Sequence, residues 1–152
     1  MKKISCHICE YENEIASEQS RYCAVCEADL ANVEDEKRLL ICDSNALYST
    51  VEKSLSAGWD AEIFLTTKRL IICPLKWQGF GLEAWLSASI YNKMTSNSAL
   101  ISIPLTDIKA VRDCKMGLIM KGIIIDTMDG GLVRIKVSKR NEWKEVIARE
   151  IE

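Results

Sequence analysis

The sequence predicts a mainly β protein of the α+β class, in which a small metal-binding unit precedes an antiparallel sheet and one C-terminal helix. Three observations support this. Two C-x2-C pairs stand near the start, several short strand-like runs follow, and the final stretch changes from a period of two to a helical period. The chain has 152 residues, 48% of them hydrophobic, which suffices for one ordinary domain with a small appendage.

The four N-terminal cysteines have the spacing of a structural metal site. Cys6 and Cys9 form one pair, Cys23 and Cys26 form the other, and thirteen residues separate the pairs. Four thiolates hold Zn2+ tetrahedrally and leave no position open to a substrate. The pattern therefore predicts one structural zinc ion per chain, with disulfide pairing as the alternative that a reducing compartment disfavours. His7, the only histidine, is expected to be an exposed side chain and not a ligand.

Residues 4–30 resemble the small zinc ribbons found at the start of many bacterial and archaeal proteins. The pattern of these ribbons runs C-x2-C-G-x2-N, then an aromatic residue before C-x2-C-G-x2-L. Asn13, Tyr22 and Leu30 stand at the matching positions. The chain departs from the pattern after each second cysteine, where Glu10 and Glu27 replace glycine. Because glycine suits a left-handed backbone, the two glutamates predict strain in the knuckles, the tight turns that present the cysteines.

The charge distribution separates this ribbon from the rest of the chain. Residues 1–35 carry a net charge of about −5, and the remainder carries about +3. An acidic ribbon disfavours contact with nucleic-acid phosphates and favours a protein contact or a folding role. We therefore predict a zinc ribbon at residues 1–33, a short polar linker at residues 31–36, and a second domain at residues 36–152.

The second domain has the pattern of short antiparallel strands. Predicted strands cover residues 38–42, continued by 46–51 after a kink, and then 61–66, 70–73, 100–105, 108–112, 118–126 and 132–137. In the second of these, Ala61, Ile63 and Leu65 alternate with Glu62 and Phe64, as expected for a strand with two different faces. The sequence MDGG at residues 128–131 predicts a hairpin turn. Cys42, Cys73 and Cys114 lie in or beside strands and are expected to be small buried hydrophobes.

The C-terminal residues predict an amphipathic helix. Trp143, Val146, Ile147 and Ile151 fall on one helical face. We expect this helix to cover one open end of a curled sheet or partly open barrel and to bury Trp143 there.

Two phrases of the second domain resemble GRAM and bacterial PH-like domains. The run FLTTKRLII at residues 64–72 resembles their phrase L-T-[NT]-x-R-L-I/V, and IPLTDI at residues 103–108 resembles the phrase that follows it. The resemblance implies a PH-like antiparallel β-barrel capped by a C-terminal α-helix. Such domains bind phosphoinositides, other lipids or proteins and are rarely enzymes. Lys68 and Arg69 are therefore candidates for contact with an anionic ligand, with an ordinary polar turn as the alternative.

An aromatic-rich insert at residues 76–99 separates the third and fourth strands. Glycines precede a helical pattern, so we expect a helical insert. Its surplus of apolar surface favours contact with a partner protein or a second copy of the chain, and its low positive charge disfavours anionic lipid. A helix packed on its own barrel is the alternative. The predicted partner-binding residues are Trp77, Phe80, Trp85, Ile90 and Tyr91.

The sequence also argues against catalysis. It contains no G-x-S-x-G, P-loop or G-x-G-x-x-G motif, and no histidine outside the ribbon. The predicted function is a non-catalytic, zinc-stabilised adaptor that binds a protein or a lipid, and the alternative is a nucleic-acid-associated zinc-ribbon regulator. With no signal peptide and no long apolar run, we expect a cytoplasmic location without a transmembrane segment, and peripheral membrane contact is compatible with this.

Overall fold

The computed structural model describes residues 2–16, 21–51, 58–74 and 100–152. The predicted insert at residues 76–99, with all five of its predicted partner-binding residues, lies outside these ranges. Among the described residues, no helix is long and apolar enough to cross a membrane.

The N-terminal segment forms a small two-stranded sheet. β1 (Lys2–Ser5) pairs antiparallel with β2 (Glu12–Ile15). An isolated bridge between Tyr22 and Asp29 closes a second loop of similar size. Each loop carries one of the two cysteine pairs, and we call residues 2–16 and 21–33 together the ribbon.

A seven-stranded antiparallel sheet forms the rest of the described structure. Its elements are β3 (Arg38–Ser49), β4 (Trp59–Thr66), β5 (Arg69–Pro74), β6 (Ile101–Pro104), β7 (Ile108–Met116), β8 (Met120–Thr127), β9 (Leu132–Lys136) and the helix α1 (Arg140–Glu150). The strand order is β6-β5-β4-β3-β9-β8-β7. The predicted strands, the hairpin at residues 128–131 and the terminal helix are therefore confirmed.

The described strands form an open sheet, so the β-barrel that the PH-like resemblance implied is not closed. Among the strands that the structure describes, β6 pairs only with β5 and β7 pairs only with β8, which leaves two edges. Pro104 ends β6, and the 3-10 turn Leu105–Asp107 redirects the chain before β7 begins. A proline has no backbone donor to continue a ladder, which explains why β6 ends at this residue.

β3 runs through the predicted kink as one long strand. Its pairing with β4 shifts register between Cys42 and Ala46, and Asn45 has a φ of 58°. A bulge of this kind bends a strand without ending it. It lets β3 pair with β4 along its length and with β9 near its end.

The main core lies between one face of the sheet and α1. Trp143 is 2% exposed, as predicted, and packs in the same cluster as Val133, Ile135 and Ile147. The helix has a left-handed N-cap residue, Lys139, and no side-chain cap. Its position therefore depends mainly on the apolar face that it buries.

The opposite face of β4 and β5 is also apolar, and the ribbon covers it. Phe64 and Ile71 are fully buried, and Cys73 is 7% exposed. These three side chains form one cluster with buried ribbon residues, including Ile8 and Leu30. The sheet therefore has two cores, and the second contains the cysteines of the ribbon.

Candidate metal centre

Two knuckles with the same hydrogen bonds present the four cysteines. In the first, the Cys6 amide donates to the Tyr11 carbonyl and the Glu10 amide donates to the Cys6 carbonyl, both at 2.9 Å. The second repeats these bonds from Cys23 and Glu27. The Ile8 and Val25 amides donate at 3.4 Å to Sγ of Cys6 and of Cys23. Donors of this kind stabilise a thiolate, so each loop is built to hold a charged sulfur.

The four sulfur atoms lie close enough to share one ion. All lie within 4.8 Å of one another, and two pairs, Cys6 with Cys26 and Cys9 with Cys23, are 3.5 Å apart. A tetrahedron with metal–sulfur bonds of about 2.3 Å has edges of about 3.8 Å. All seven cysteines are free thiols, so disulfides do not explain the cluster. The cysteine cluster, Cys6, Cys9, Cys23 and Cys26, could therefore hold a metal ion.

Asn13 connects the two knuckles beside the cysteine cluster. Its Nδ2 donates to the Tyr11 carbonyl at 3.0 Å and to Sγ of Cys23 at 3.5 Å, and its Oδ1 accepts from the Ala24 amide at 2.9 Å. The side chain is nearly buried, so these bonds satisfy groups that water does not reach. The asparagine that matched the ribbon pattern therefore orients a ligand from outside the ligand set.

The charge balance within the cysteine cluster favours a cation. Hydrogen bonds from Cys26, Cys6 and Cys9 hold the pKa of Cys23 below its usual value. The pKa of Cys26 is raised, chiefly because its thiol hydrogen-bonds to Cys23. The protein alone thus keeps part of the cluster protonated, whereas a divalent ion would allow all four thiols to ionise.

The residues after each second cysteine adopt a left-handed backbone although neither is glycine. Glu10 has a φ of 64° and Glu27 has a φ of 60°, both in the left-handed region. The knuckles therefore keep the geometry that usually takes glycine, and the chain carries the steric cost.

Two arginines of the sheet bind the two knuckles. Arg38 of β3 donates from Nη1 to the Ile8 carbonyl at 2.9 Å and to the Glu10 carboxylate at 3.1 Å. Arg69 of β5 donates from Nη2 to the Cys26 carbonyl at 2.8 Å. Each knuckle thus receives one guanidinium from the sheet, which holds the cysteine cluster against Phe64 and Ile71.

Glu36 fixes Arg69 in this position. Its carboxylate accepts from Nε and Nη2 of Arg69 at 2.8 and 3.3 Å and from the Thr66 hydroxyl at 2.7 Å. Burial would raise the pKa of the Glu36 carboxyl, but the bonds from Arg69 and Thr66 outweigh it and lower the pKa. The Glu36 carbonyl also lies 3.0 Å from Nε2 of His7. His7 is therefore half-buried at this contact, whereas the sequence predicted an exposed side chain.

The segment predicted as a linker is held against the sheet at its C-terminal end. Lys68 contacts Asp35 at 2.5 Å, and the amide of Lys37 donates to the Thr67 hydroxyl. The polarity that suggested a solvated linker instead serves ion pairs and hydrogen bonds to the β4–β5 turn.

The structure gives the predicted anion-binding residues internal partners. Lys68 is half exposed and paired with Asp35, whereas the Arg69 side chain is 14% exposed and occupied by Glu36, Cys26 and the Ser102 hydroxyl. Contact with an anionic ligand therefore remains a prediction, and these bonds weaken it at Arg69.

Two of the three cysteines outside the cluster, Cys42 and Cys73, belong to the apolar cores. Cys42 and Cys73 are buried as predicted, and Cys114 is half-buried. Burial raises the pKa of the Cys73 thiol to about 12, which keeps it protonated and unreactive.

Sequence reasoning did not identify Arg38, Glu36 and Arg69 as contacts of the ribbon. The signal that could have found this contact is the run LIIC in β5. Leu70 and Ile72 face the main core, and Ile71 and Cys73 face the ribbon. A strand that is apolar on both faces indicates a sheet covered on both sides.

The fold is similar to a solved structure, the Vps36 N-terminal PH domain. The two share 17% sequence identity with a TM-score of 0.52, and the match covers 86% of this chain and 89% of the other. At this identity the likeness shows the fold alone, which is PH-like. No family model matches the sequence, and the search of curated proteins finds no match.

Proposed function

We propose that this chain is a non-catalytic binding protein in which a structural zinc ion holds the ribbon on a PH-like sheet. The observation that supports this most directly is the convergence of four sulfur atoms within 4.8 Å at the contact between ribbon and sheet. Three of the four cysteines are at most 2% exposed. A metal ion buried in this way supports a fold and does not meet a substrate.

The donor set favours zinc over hard cations such as magnesium and calcium. Thiolates are soft ligands that bind zinc well and bind magnesium or calcium poorly. A complete set of four thiolates leaves zinc without an open position, which is typical of structural sites. The ion would therefore contribute folding energy.

The remaining polar groups of the described residues support structure more than chemistry. Asp126 pairs with Arg112 across β7 and β8, and Asp129 accepts from Thr127 and from the Gly131 amide in the hairpin turn. His7 faces the Glu36 carbonyl. These side chains are engaged in bonds within the fold, which supports a binding role.

The proposed partner is a protein or a lipid. The aromatic insert, with Trp77 and Trp85, remains the predicted protein-binding surface. A nucleic-acid partner gains no support from the ribbon, because Arg21, a cation next to the second knuckle in the sequence, is already paired with Asp29. The likeness to a PH domain is compatible with protein or lipid binding.

Metal analysis of the purified chain tests the zinc centre. We expect one zinc ion per chain, and Cys26→Ser should lose most of it because three thiolates hold zinc less tightly. Cys42→Ser, a substitution of a buried cysteine outside the cluster, is the matched control and should keep the metal. Far less than one zinc in the wild-type chain, or equal content in both variants, would contradict the assignment.

Association assays with thermal melts test the proposed partner surface. Trp85→Asp should weaken association with a protein partner or a second copy and leave the melting temperature unchanged. Met128→Asp changes an exposed methionine outside the insert and is the control. A lower melting temperature with unchanged association would show that the insert packs on its own domain.

A further inference from the structure

The hairpin between β7 and β8 ends in the most exposed large hydrophobic side chains of the described residues. Leu118 is 74% exposed and Ile119 is 90% exposed. Single exposed hydrophobic residues are ordinary, but a tight turn normally takes polar residues. Two neighbouring aliphatic side chains at the tip of a hairpin therefore suggest a surface that is buried against a binding partner.

A rigid ladder holds this tip away from the rest of the sheet. β7 and β8 stay paired as far as Met116 and Met120, directly before the turn. Met116 is fully buried and packs over Gly122, where an added Cβ would lie 2.5 Å from the Ile135 carbonyl oxygen. Arg134 donates to the Lys115 carbonyl at 3.0 Å and braces the base of the hairpin. The apolar tip is thus presented on a fixed support.

Cations surround the base of the tip. Lys115 and Lys121 lie directly opposite each other in the ladder, and both are exposed. Like charges in this position destabilise a sheet, and neither ammonium group has a salt bridge within the described ranges. Asp113 lies two residues before Lys115 on β7, and Arg140 and Lys144 already share its carboxylate at 2.5 and 3.1 Å. The nearest acid on this strand is therefore paired with other cations.

We propose that Leu118 and Ile119 insert into the interface of an anionic membrane while Lys115 and Lys121 contact its lipid headgroups. In such a membrane interface the phosphates lie above the acyl chains. The hairpin has the same order, because its aliphatic tip would reach the acyl chains while the lysines behind it lie at the level of the phosphates. Lysine stems also extend over apolar surface while the ammonium stays in the headgroup layer.

A membrane fits this tip better than a protein does. A stable protein interface buries about 800 Å² on each partner, which two protruding side chains do not offer. A lipid surface needs no complementary pocket, and the like-charged lysine pair gains stability beside anionic headgroups. The inference rests on the proposed binding role and names one ligand for it. It uses neither the cysteine cluster nor the insert.

Vesicle co-sedimentation of the full, metal-loaded chain tests the proposal. The chain should bind phosphatidylcholine vesicles that contain phosphatidylserine, bind pure phosphatidylcholine vesicles more weakly, and lose binding as salt is added. The double variant Leu118→Ser/Ile119→Ser should weaken binding about tenfold or more. Lys115→Gln/Lys121→Gln should weaken binding about tenfold on phosphatidylserine vesicles alone.

Two matched controls isolate the tip from general effects. Met128→Ser removes a 65% exposed apolar side chain from the tip of another hairpin. Lys2→Gln/Lys3→Gln removes the same charge from the ribbon. Both should bind vesicles like the wild-type chain. Wild-type binding to neither vesicle, or equal binding by the tip variants, would overturn the proposal. So would a loss of self-association, instead of vesicle binding, in the Leu118→Ser/Ile119→Ser variant.

The zinc content of the chain and the association assay with Trp85→Asp distinguish failure of the membrane site from failure of the proposed function. If both behave as expected while vesicle binding fails, the membrane site alone is wrong. If vesicle binding succeeds while the purified chain contains far less than one zinc, the membrane site stands and the proposed zinc centre falls. If it succeeds while Trp85→Asp leaves association unchanged, the membrane site stands and the proposed protein partner surface falls.

Discussion

The glutamates that close the two knuckles carry a conformational cost that glycine would not. With φ angles near 60°, Glu10 and Glu27 bring Cβ close to the backbone. Glu10 regains part of this cost through its contact with Arg38, whereas no side-chain bond of Glu27 offsets it among the described residues. The two glutamates therefore share the same strained backbone, but only Glu10 has an ion pair that offsets part of the strain.

Replacing these glutamates by glycine should separate the two effects. We expect Glu27→Gly to raise the free energy of unfolding by about 0.5–1 kcal/mol, because relief of left-handed strain exceeds the entropy that glycine adds to the unfolded chain. Glu10→Gly should gain less, since it also loses the ion pair with Arg38. Chemical denaturation of the zinc-loaded chain measures both. A destabilised Glu27→Gly variant would show that its side chain makes a contact that outweighs the strain.

Local spacing made the cysteines and Asn13 predictable, whereas the residues that join ribbon to sheet were not. Arg69 and Cys26 are 43 positions apart in the sequence, and Arg38 and Ile8 are 30 apart. No periodicity relates residues at such distances, and an arginine in a strand has many uses. The sequence therefore suggested an external anion as a candidate partner of Arg69 and gave no sign of the internal partner Glu36.

Among the elements, strands and helix followed directly from residue patterns, and the closure of the sheet did not. Alternation and the Asp-Gly turn are local signals, so the sequence alone predicted the strands β8 and β9. Barrel closure requires the edge strands β6 and β7 to meet, and the 3-10 turn between them decides this geometry. A single turn of that kind has no strong pattern of its own.

The packing of Trp143 stabilises α1 on the sheet more than the capping of its termini does. Its N-cap offers no side-chain bond, and only Trp143 and Ile147 of the helix are buried. We expect Trp143→Ala to cost roughly 3–5 kcal/mol of unfolding free energy, from lost apolar burial and the cavity left behind. Val146→Ala, a partly buried position on the same helix, should cost less. Denaturation curves decide this, and a loss below about 1 kcal/mol for Trp143→Ala would mean that the helix does not close the core.

In the whole molecule, the ribbon and the sheet share one apolar cluster. The sequence suggested two units joined by a linker, because the change in charge at residue 35 is abrupt. The structure instead places Ile8 and Leu30 of the ribbon against Phe64 and Ile71 of the sheet. The cysteine cluster therefore lies where the ribbon contacts the sheet, and we expect any metal that it holds to be retained partly through contacts made by the sheet.

Arg69 provides the test of this coupling. Arg69→Gln should cost roughly 3–5 kcal/mol of unfolding free energy, because it leaves the Glu36 carboxylate buried without its partner. Arg112→Gln, which breaks the more exposed pair with Asp126, should cost less than about 1 kcal/mol.

If the sheet holds the second knuckle through the Cys26 carbonyl, Arg69→Gln should also release zinc to a chelator faster than the wild-type chain, and Arg112→Gln should not. Adding Glu36→Gln to Arg69→Gln should recover part of the stability but not the slow release, since the bond to Cys26 stays broken. Equal release rates in all variants would show that the ribbon holds its metal independently of the sheet.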